Sequence, residues 1–308
     1  MSEYLPKVIS ILQNVPGFAD VKASEIKLTR LGGLTNLVHR VEARGQRVVV
    51  RIPGDGTESY INRAVEVHNA RAAEKAGVAP NVLWADAASG ALVTRALDNI
   101  ETMTPALFKS RPGSPARAGA ALAKLHRSGQ SFDFRFELFA MIDDYLKVLA
   151  TKDVALPEGY HNVVAAAKPI REALEKSAVP LAPCHCDPLS ENFLDDGARM
   201  WMVDWEYSGM NDPHWDIGDL SVEAEMDDAQ EAELLHGYFG RTPTPAEMGR
   251  VVIYKAMCDL LWTLWGLIQL ADKNPALDFR AYADGRFARC RALMNSPAFA
   301  GHAAAISA

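Results

Sequence analysis

Between Val251 and Leu270 the chain runs through 20 mostly apolar residues, interrupted by Lys255, Asp259 and Gln269. A segment of this length either crosses a bilayer or forms the buried axis of a large domain. Two full charges near the bilayer centre would cost several kcal/mol, so a core helix is predicted and no membrane span. Thr244-Pro245-Ala246-Glu247, just upstream, is a capping box with proline at the first helical position, which opens a long helix. Such an axis needs other helices around it, and 308 residues suffice to surround it.

The residues from about 97 onward supply them. Ser114-Pro115 reads as an N-cap followed by proline, in a helix ended by Gly129; further helices are expected over Leu138–Ala150 and Asn162–Lys176. Residues 183–219, rich in Pro and Asp, read as an irregular stretch held by this scaffold. The first hundred residues differ. Glu3–Asn14 has helical periodicity. Ile26–Leu31, Leu37–Glu42, Arg47–Ile52, Asn81–Asp86 and Ala91–Thr94 read as strands, with a helix from about Thr57 to Ala76 between the third and fourth. The chain is therefore expected to be α+β, with two lobes: residues 1–96, an antiparallel sheet carrying one packed helix, and residues 97–308, larger and mainly helical.

Charge divides along the same line. Residues 1–96 carry net +3 and the remainder net −10, for −7 overall. No basic face is available for nucleic acid. Within 187–233 there are 15 acidic residues and one basic residue, Arg199. Most of these acids are expected to be solvated, with some serving a divalent metal or a cationic substrate. The four cysteines lack a framework spacing, and the N-terminus lacks a basic and apolar leader, so a cytoplasmic protein is expected. Cys184, His185 and Cys186 have no second Cys/His pair at ligand spacing, which argues against zinc.

Inside the acidic stretch lies His185-Cys186-Asp187-Pro188-Leu189-Ser190-Glu191-Asn192. H-x-D-x-x-x-x-N is the spacing of a kinase catalytic loop, in which the Asp meets the attacking hydroxyl and the Asn turns back to hold the metal on the nucleotide phosphates. Twelve residues after Asn192, the apolar Met202-Val203 leads into Asp204-Trp205-Glu206, which suits a second oxygen ligand for Mg²⁺. Upstream, Arg51 ends the third strand and Glu66 lies on the following helix, the places of the phosphate-binding cation and the acid that orients it.

With these residues in view the chain resembles the choline/ethanolamine kinase family, within the aminoglycoside-phosphotransferase-like group of protein-kinase-like folds. The resemblance runs from Arg30-Leu31-Gly32-Gly33-Leu34-Thr35-Asn36 to Tyr282-Ala283-Asp284-Gly285-Arg286-Phe287, and is most specific from Val203-Asp204-Trp205-Glu206-Tyr207 through Trp215-Asp216-Ile217-Gly218-Asp219. It implies an ATP- and Mg²⁺-dependent alcohol phosphotransferase with a hinge near Thr94–Leu97. It makes Asp187 the catalytic base, Asn192 and Asp204 the Mg²⁺ ligands, and Glu206 a ligand for a second ion. Arg51 would bind ATP phosphates, oriented by Glu66, beneath a turn containing Gly32, Gly33, Thr35 and Asn36. His185 and Asp216 would support the catalytic loop.

Two departures refine this. No G-x-G-x-x-G is present, and the usual strand lysine is Arg51. Only eleven residues separate Asp204 from Asp216, too few for an activation loop, so a protein kinase is disfavoured. Trp262 and Trp265, at i and i+3, share a helix face. The resemblance adds Tyr282 and Glu223 to them as a cage for a quaternary ammonium, which aromatic faces attract. Choline is thus the expected acceptor. Ethanolamine, thiamine, an aminoglycoside, or a catalytically silent binder of nucleotide or quaternary amine stay open as alternatives.

Overall fold

The computed structural model describes residues 3–32, 36–54 and 61–307. Among these, the N-terminal lobe holds five antiparallel strands: β1 (Lys27–Gly32), β2 (Asn36–Ala43), β3 (Gln46–Pro53), β4 (Val82–Ala85) and β5 (Leu92–Arg95), in the order β1-β2-β3-β5-β4. Strand alternation decides which side chains meet the core. On β3, Val48, Val50 and Ile52 are buried against Val8, Leu12 and Phe18 of the N-terminal segment, whose helix is α1 (Leu5–Leu12). Each such burial contributes about 1.5–3 kcal/mol. Period two then puts Arg51 on the opposite face, where helix α2 (Arg63–Lys75) lies. That helix starts later than expected, at the N-cap Asn62, whose side chain accepts from the N–H groups of Ala64 and Val65.

Past β5 the chain changes lobes. Ala96 N–H donates to Arg47 O, 3.1 Å, and by β6 (Glu101–Thr102) the backbone pairs with β8 (Phe193–Asp195), just past Asn192. The helices α3 (Pro105–Ser110), α4 (Ser114–His126) and α5 (Leu138–Leu149) follow. The N-cap of α4 is Gly113 at φ +69°; Ser114 lies inside the first turn and its hydroxyl donates to Phe108 O, so the expected serine cap is not formed. The single helix expected over 162–176 is two, α6 (Tyr160–Ala166) and α7 (Lys168–Lys176). Pro169 has no N–H to continue the ladder and disfavours helical backbone just before it.

The segment read as irregular is more ordered than its composition suggests. It contains β7 (Ala182–Cys184), β8, β9 (Met200–Met202) and β10 (Gly209–Asn211), and α8 (His214–Glu223) begins within it. After α9 (Asp228–Phe239) comes the long helix α10 (Pro245–Ala271), then α11 (Phe279–Met294) and α12 (Phe299–Ala305). Thr244 and Glu247 form the predicted capping box. Although α10 is long and apolar enough to cross a membrane, it is packed inside the lobe between α5, α8, α11 and α12. Its charges are answered within the protein: Lys255 pairs with Glu231, and Asp259 with Arg286 and Arg289. At Gly218 a Cβ would come within 2.7 Å of Val251 O, so glycine lets α8 lie directly on the α10 backbone.

Candidate active site

The candidate catalytic segment, residues 185–192, leaves β7 at Cys184 and is shaped by one carboxylate. Asp216, fully buried on α8, accepts from the backbone N–H of His185 (2.7 Å) and of Cys186 (2.8 Å). The same side chain meets His126 Nε2 at 2.9 Å, and His126 Nδ1 lies 2.9 Å from the Tyr238 hydroxyl. Trp215 donates its indole N–H to Cys186 O, 3.0 Å. These bonds hold Cys186 at φ +65°, a left-handed conformation that costs a side-chain-bearing residue about 1–3 kcal/mol. The turn presents Asp187, only partly buried, at its tip. The buried His185 ring lies 2.9 Å from Val203 O and packs on Trp205, tying the loop to the strand beyond.

Asn192 and Asp204 are brought side by side by register. In the β8–β9 hairpin Phe193 opposes Met202, and just past it Val203 N–H donates to Asn192 O, 3.0 Å. The Asn192 amide turns back to donate to Asp187 O, 3.0 Å. Asp204 is again left-handed, at φ +68°, and its Oδ1 has no hydrogen-bond partner. Burial and the neighbouring Glu206 push its carboxyl up to about 7. Burial, with Glu223 and Asp204 nearby, also raises the Asp187 carboxyl well above the usual range. Crowded hard oxygens with unmet hydrogen-bonding capacity suit a small divalent cation.

Across the cleft, Arg51 is ion-paired with Glu66, as its place on β3 predicts, and donates to Gly90 O, 2.9 Å. Its Nη1 lies 3.5 Å from Asp204 Oδ1 and 3.6 Å from Glu206 Oε1. Carboxylate oxygens of Glu66, Asp204 and Glu206 fall within 4.8 Å of one another. Glu206 is already bonded to Arg63 and accepts from the Asn36 amide, 3.0 Å, while Arg63 also reaches Glu66, 2.8 Å. Gly32, at φ +144°, holds a conformation suited to glycine at the end of β1; Gly33 and Thr35 lie outside the described residues.

At the other end of Asp187 stand the aromatic residues. Trp262 donates its indole N–H to Asp219 Oδ2, 3.1 Å, and meets the Tyr207 ring edge-on, 5.5 Å between centroids. Trp265 donates to the Tyr207 hydroxyl, 3.0 Å, and meets the Tyr282 ring at 5.8 Å. Tyr282 sits on Gly266 of α10, where a Cβ would come within 2.6 Å of its ring. The structure thus brings Trp262, Trp265 and Tyr282 together and inserts Tyr207 beside the two tryptophans. Glu223, expected to face the substrate's charge, is ion-paired with the buried Arg286, whose guanidinium lies over the Tyr282 ring.

Sequence reasoning misses Arg63, Asp219 and Arg286. Arg63 carries a signal: a cation in the first turn of a helix opposes the dipole and has a better reason to be there. The expectation that most acids of 187–233 are solvated is wrong, since only five of the 15 are exposed. Asp195, for instance, is buried between Arg111 and Arg117, and Asp212 among His214, Arg250 and Tyr254.

Residues 27–251 match the model of a phosphotransferase enzyme family, APH. Protein LicA of Haemophilus influenzae is 30% identical over 247 residues, 78% of this chain and 72% of that one. Ethanolamine kinase 2 of Mus musculus is 26% identical, over 78% and 68% respectively. Among solved structures, a choline/ethanolamine kinase family protein from Mesorhizobium loti is 60% identical over 98% of both chains, with TM-score 0.88. Choline kinase LicA from Streptococcus pneumoniae is 27% identical over 88% of this chain and 94% of that one, with TM-score 0.74.

Proposed function

Because this chain belongs to the phosphotransferase enzyme family, within its choline/ethanolamine kinase branch, we propose that it transfers the terminal phosphoryl group of ATP to the hydroxyl of a small amino alcohol, choline being the preferred acceptor. Residues 1–96 form the ATP-binding lobe and 97–308 the lobe that supplies the base and the acceptor site. The supporting observation is the meeting at Asp204: a cation from β3 and an acid from beyond β9, 153 positions apart, stand 3.5 Å from each other beside the clamped catalytic turn.

Asp187 accepts the proton of the acceptor hydroxyl as the new O–P bond forms and the bond to ADP breaks. Its raised pKa makes it a better proton acceptor than an exposed carboxylate. Arg51, fixed by Glu66, sets its guanidinium against phosphate oxygens. Asn192 and Asp204 fit Mg²⁺ by their hard oxygen atoms and would hold it, and when bound it neutralises charge on the phosphate oxygens. Trp262, Trp265 and Tyr282 receive the acceptor's ammonium group. The test is a coupled ADP-release assay over choline, ethanolamine, thiamine and an aminoglycoside panel. Choline should give the highest kcat/KM, and Asp187→Ala should lower its kcat on the order of 10³-fold. Turnover within about tenfold of wild type overturns the assignment of the base. A better acceptor in the panel replaces choline.

A further inference from the structure

We propose that Asp219 is the residue that makes the acceptor site select for positive charge, an inference that rests on the function proposed above. Glu223, the acid closest to that role by sequence, is already neutralised by Arg286, which also pairs with Asp259, 3.1 Å. Asp219 differs in every respect that matters. It is fully buried, and Oδ2 takes a single hydrogen bond, from the neutral indole of Trp262. Oδ1 has no hydrogen-bond partner, and among the described residues no cation stands within ion-pairing distance of the carboxylate. A buried anion left in this condition is costly, and a bound cation is what relieves it.

Its place in the fold fits. Asp216, Asp219 and Glu223 stand at i, i+3 and i+7 of α8 and share one helix face. The first clamps the catalytic turn and the last stands with Arg286 beside Tyr282, so Asp219 lies between the base and the aromatic wall. Burial first, then the charges of Glu223 and Asp187 against the relief from Arg286, raise its carboxyl well above the usual range, so its charged form is favoured only with a cation beside it. Its bond to the Trp262 N–H also draws that proton away from the indole and enriches the ring face that a cation meets.

The experiment compares choline with 3,3-dimethyl-1-butanol, which has the same shape and hydroxyl but no charge. Wild type should prefer choline strongly. Asp219→Asn keeps an acceptor for the Trp262 N–H and removes the charge. Its choline KM should rise about tenfold or more, kcat moving much less, and the ratio of the two kcat/KM values should fall by about the same factor. Equal losses on both acceptors, or an unaltered ratio, mean that Asp219 is only a packing residue and overturn the proposal. Thermal melting checks that the variant is folded; if it is not, Asp219→Ser, whose hydroxyl can accept the same indole bond, is read by the same ratio. Wild type inactive on both choline and ethanolamine defeats the function proposed above and this inference with it. An active wild type with an unaltered ratio in the variant defeats the inference alone.

Discussion

The two ends of the cleft handle buried charge in opposite ways. At the end proposed to bind the nucleotide, Arg51, Arg63, Glu66, Asp204 and Glu206 alternate in sign, and each is in contact with at least one opposite charge. At the end proposed to receive the acceptor, Asp187, Asp219, Glu223 and Asp259 outnumber Arg286 and Arg289, and the walls are aromatic. The first region has its charges already paired within the protein. The second is short of positive charge, which under the proposed function the acceptor's cation supplies. A kinase must hold its phosphate-binding groups still for in-line transfer, while selection among alcohols needs a site that rewards one chemical feature of the acceptor.

The largest expected effect comes from breaking the paired end. Arg63→Met takes from Glu206 its nearest cation and from Glu66 one of two, leaving Arg51 to serve both, and should lower stability by about 3 kcal/mol in urea unfolding, the cost of breaking buried ion pairs. A loss below about 1 kcal/mol would mean that water already reaches the network. Next comes the aromatic end. Trp265→Ala should raise the choline KM by a factor on the order of ten to thirty, from a cation–π loss near 2 kcal/mol, and leave the ATP KM within about twofold. A matching rise in both would show that the two ends are mechanically coupled and end the distinction.

The smallest effects carry the sharpest contrast. Asp212 and Asp219 are both buried acids of the same lobe. Burial pushes Asp212 up, but His214 and Arg250 outweigh it and leave its carboxyl below the usual value, whereas Asp219 stays raised. A depressed carboxyl contributes stability above its unfolded value of 3.8 and loses it as pH falls through the folded value. A raised one costs nothing below 3.8, and its cost grows as pH rises toward the folded value. Asp212→Asn should therefore destabilise at pH 7.5 and Asp219→Asn should stabilise; the Asp219 gap narrows toward pH 4, whereas the Asp212 gap persists there and closes only as pH falls below 3.8. Urea midpoints measured across that range give the signs, and two variants of the same sign would refute the contrast.

The chemistry that depends on spacing within one segment was open to sequence reading. Asp187, Asn192 and Asp204 lie on one short stretch of chain, and hairpin register alone brings the latter two together. Arg51 and Glu66 follow from strand and helix order. The lobes and the capping box of α10 follow from periodicity and local hydrogen bonding. What stayed hidden depends on contacts between distant segments. Asp219 looked like one more member of an acidic run, and its burial comes from α8 lying on α10 at Gly218. Arg63 is not singled out by any spacing in the sequence, and its ion pair with Glu206, 143 positions away, exists only in the fold. The pairing of Glu223 with Arg286 joins α8 to α11, and neither periodicity nor local spacing reports it.

Gly266 lies behind Tyr282, and a missing methyl group there decides where that ring can stand. Alanine at 266 would force the ring to turn or α11 to slide, changing the calibre of the pocket while every group that touches the acceptor kept its identity. Tolerance for bulkier alcohols can therefore drift in this fold through the back of a helix, without any alteration to the residues that perform the chemistry.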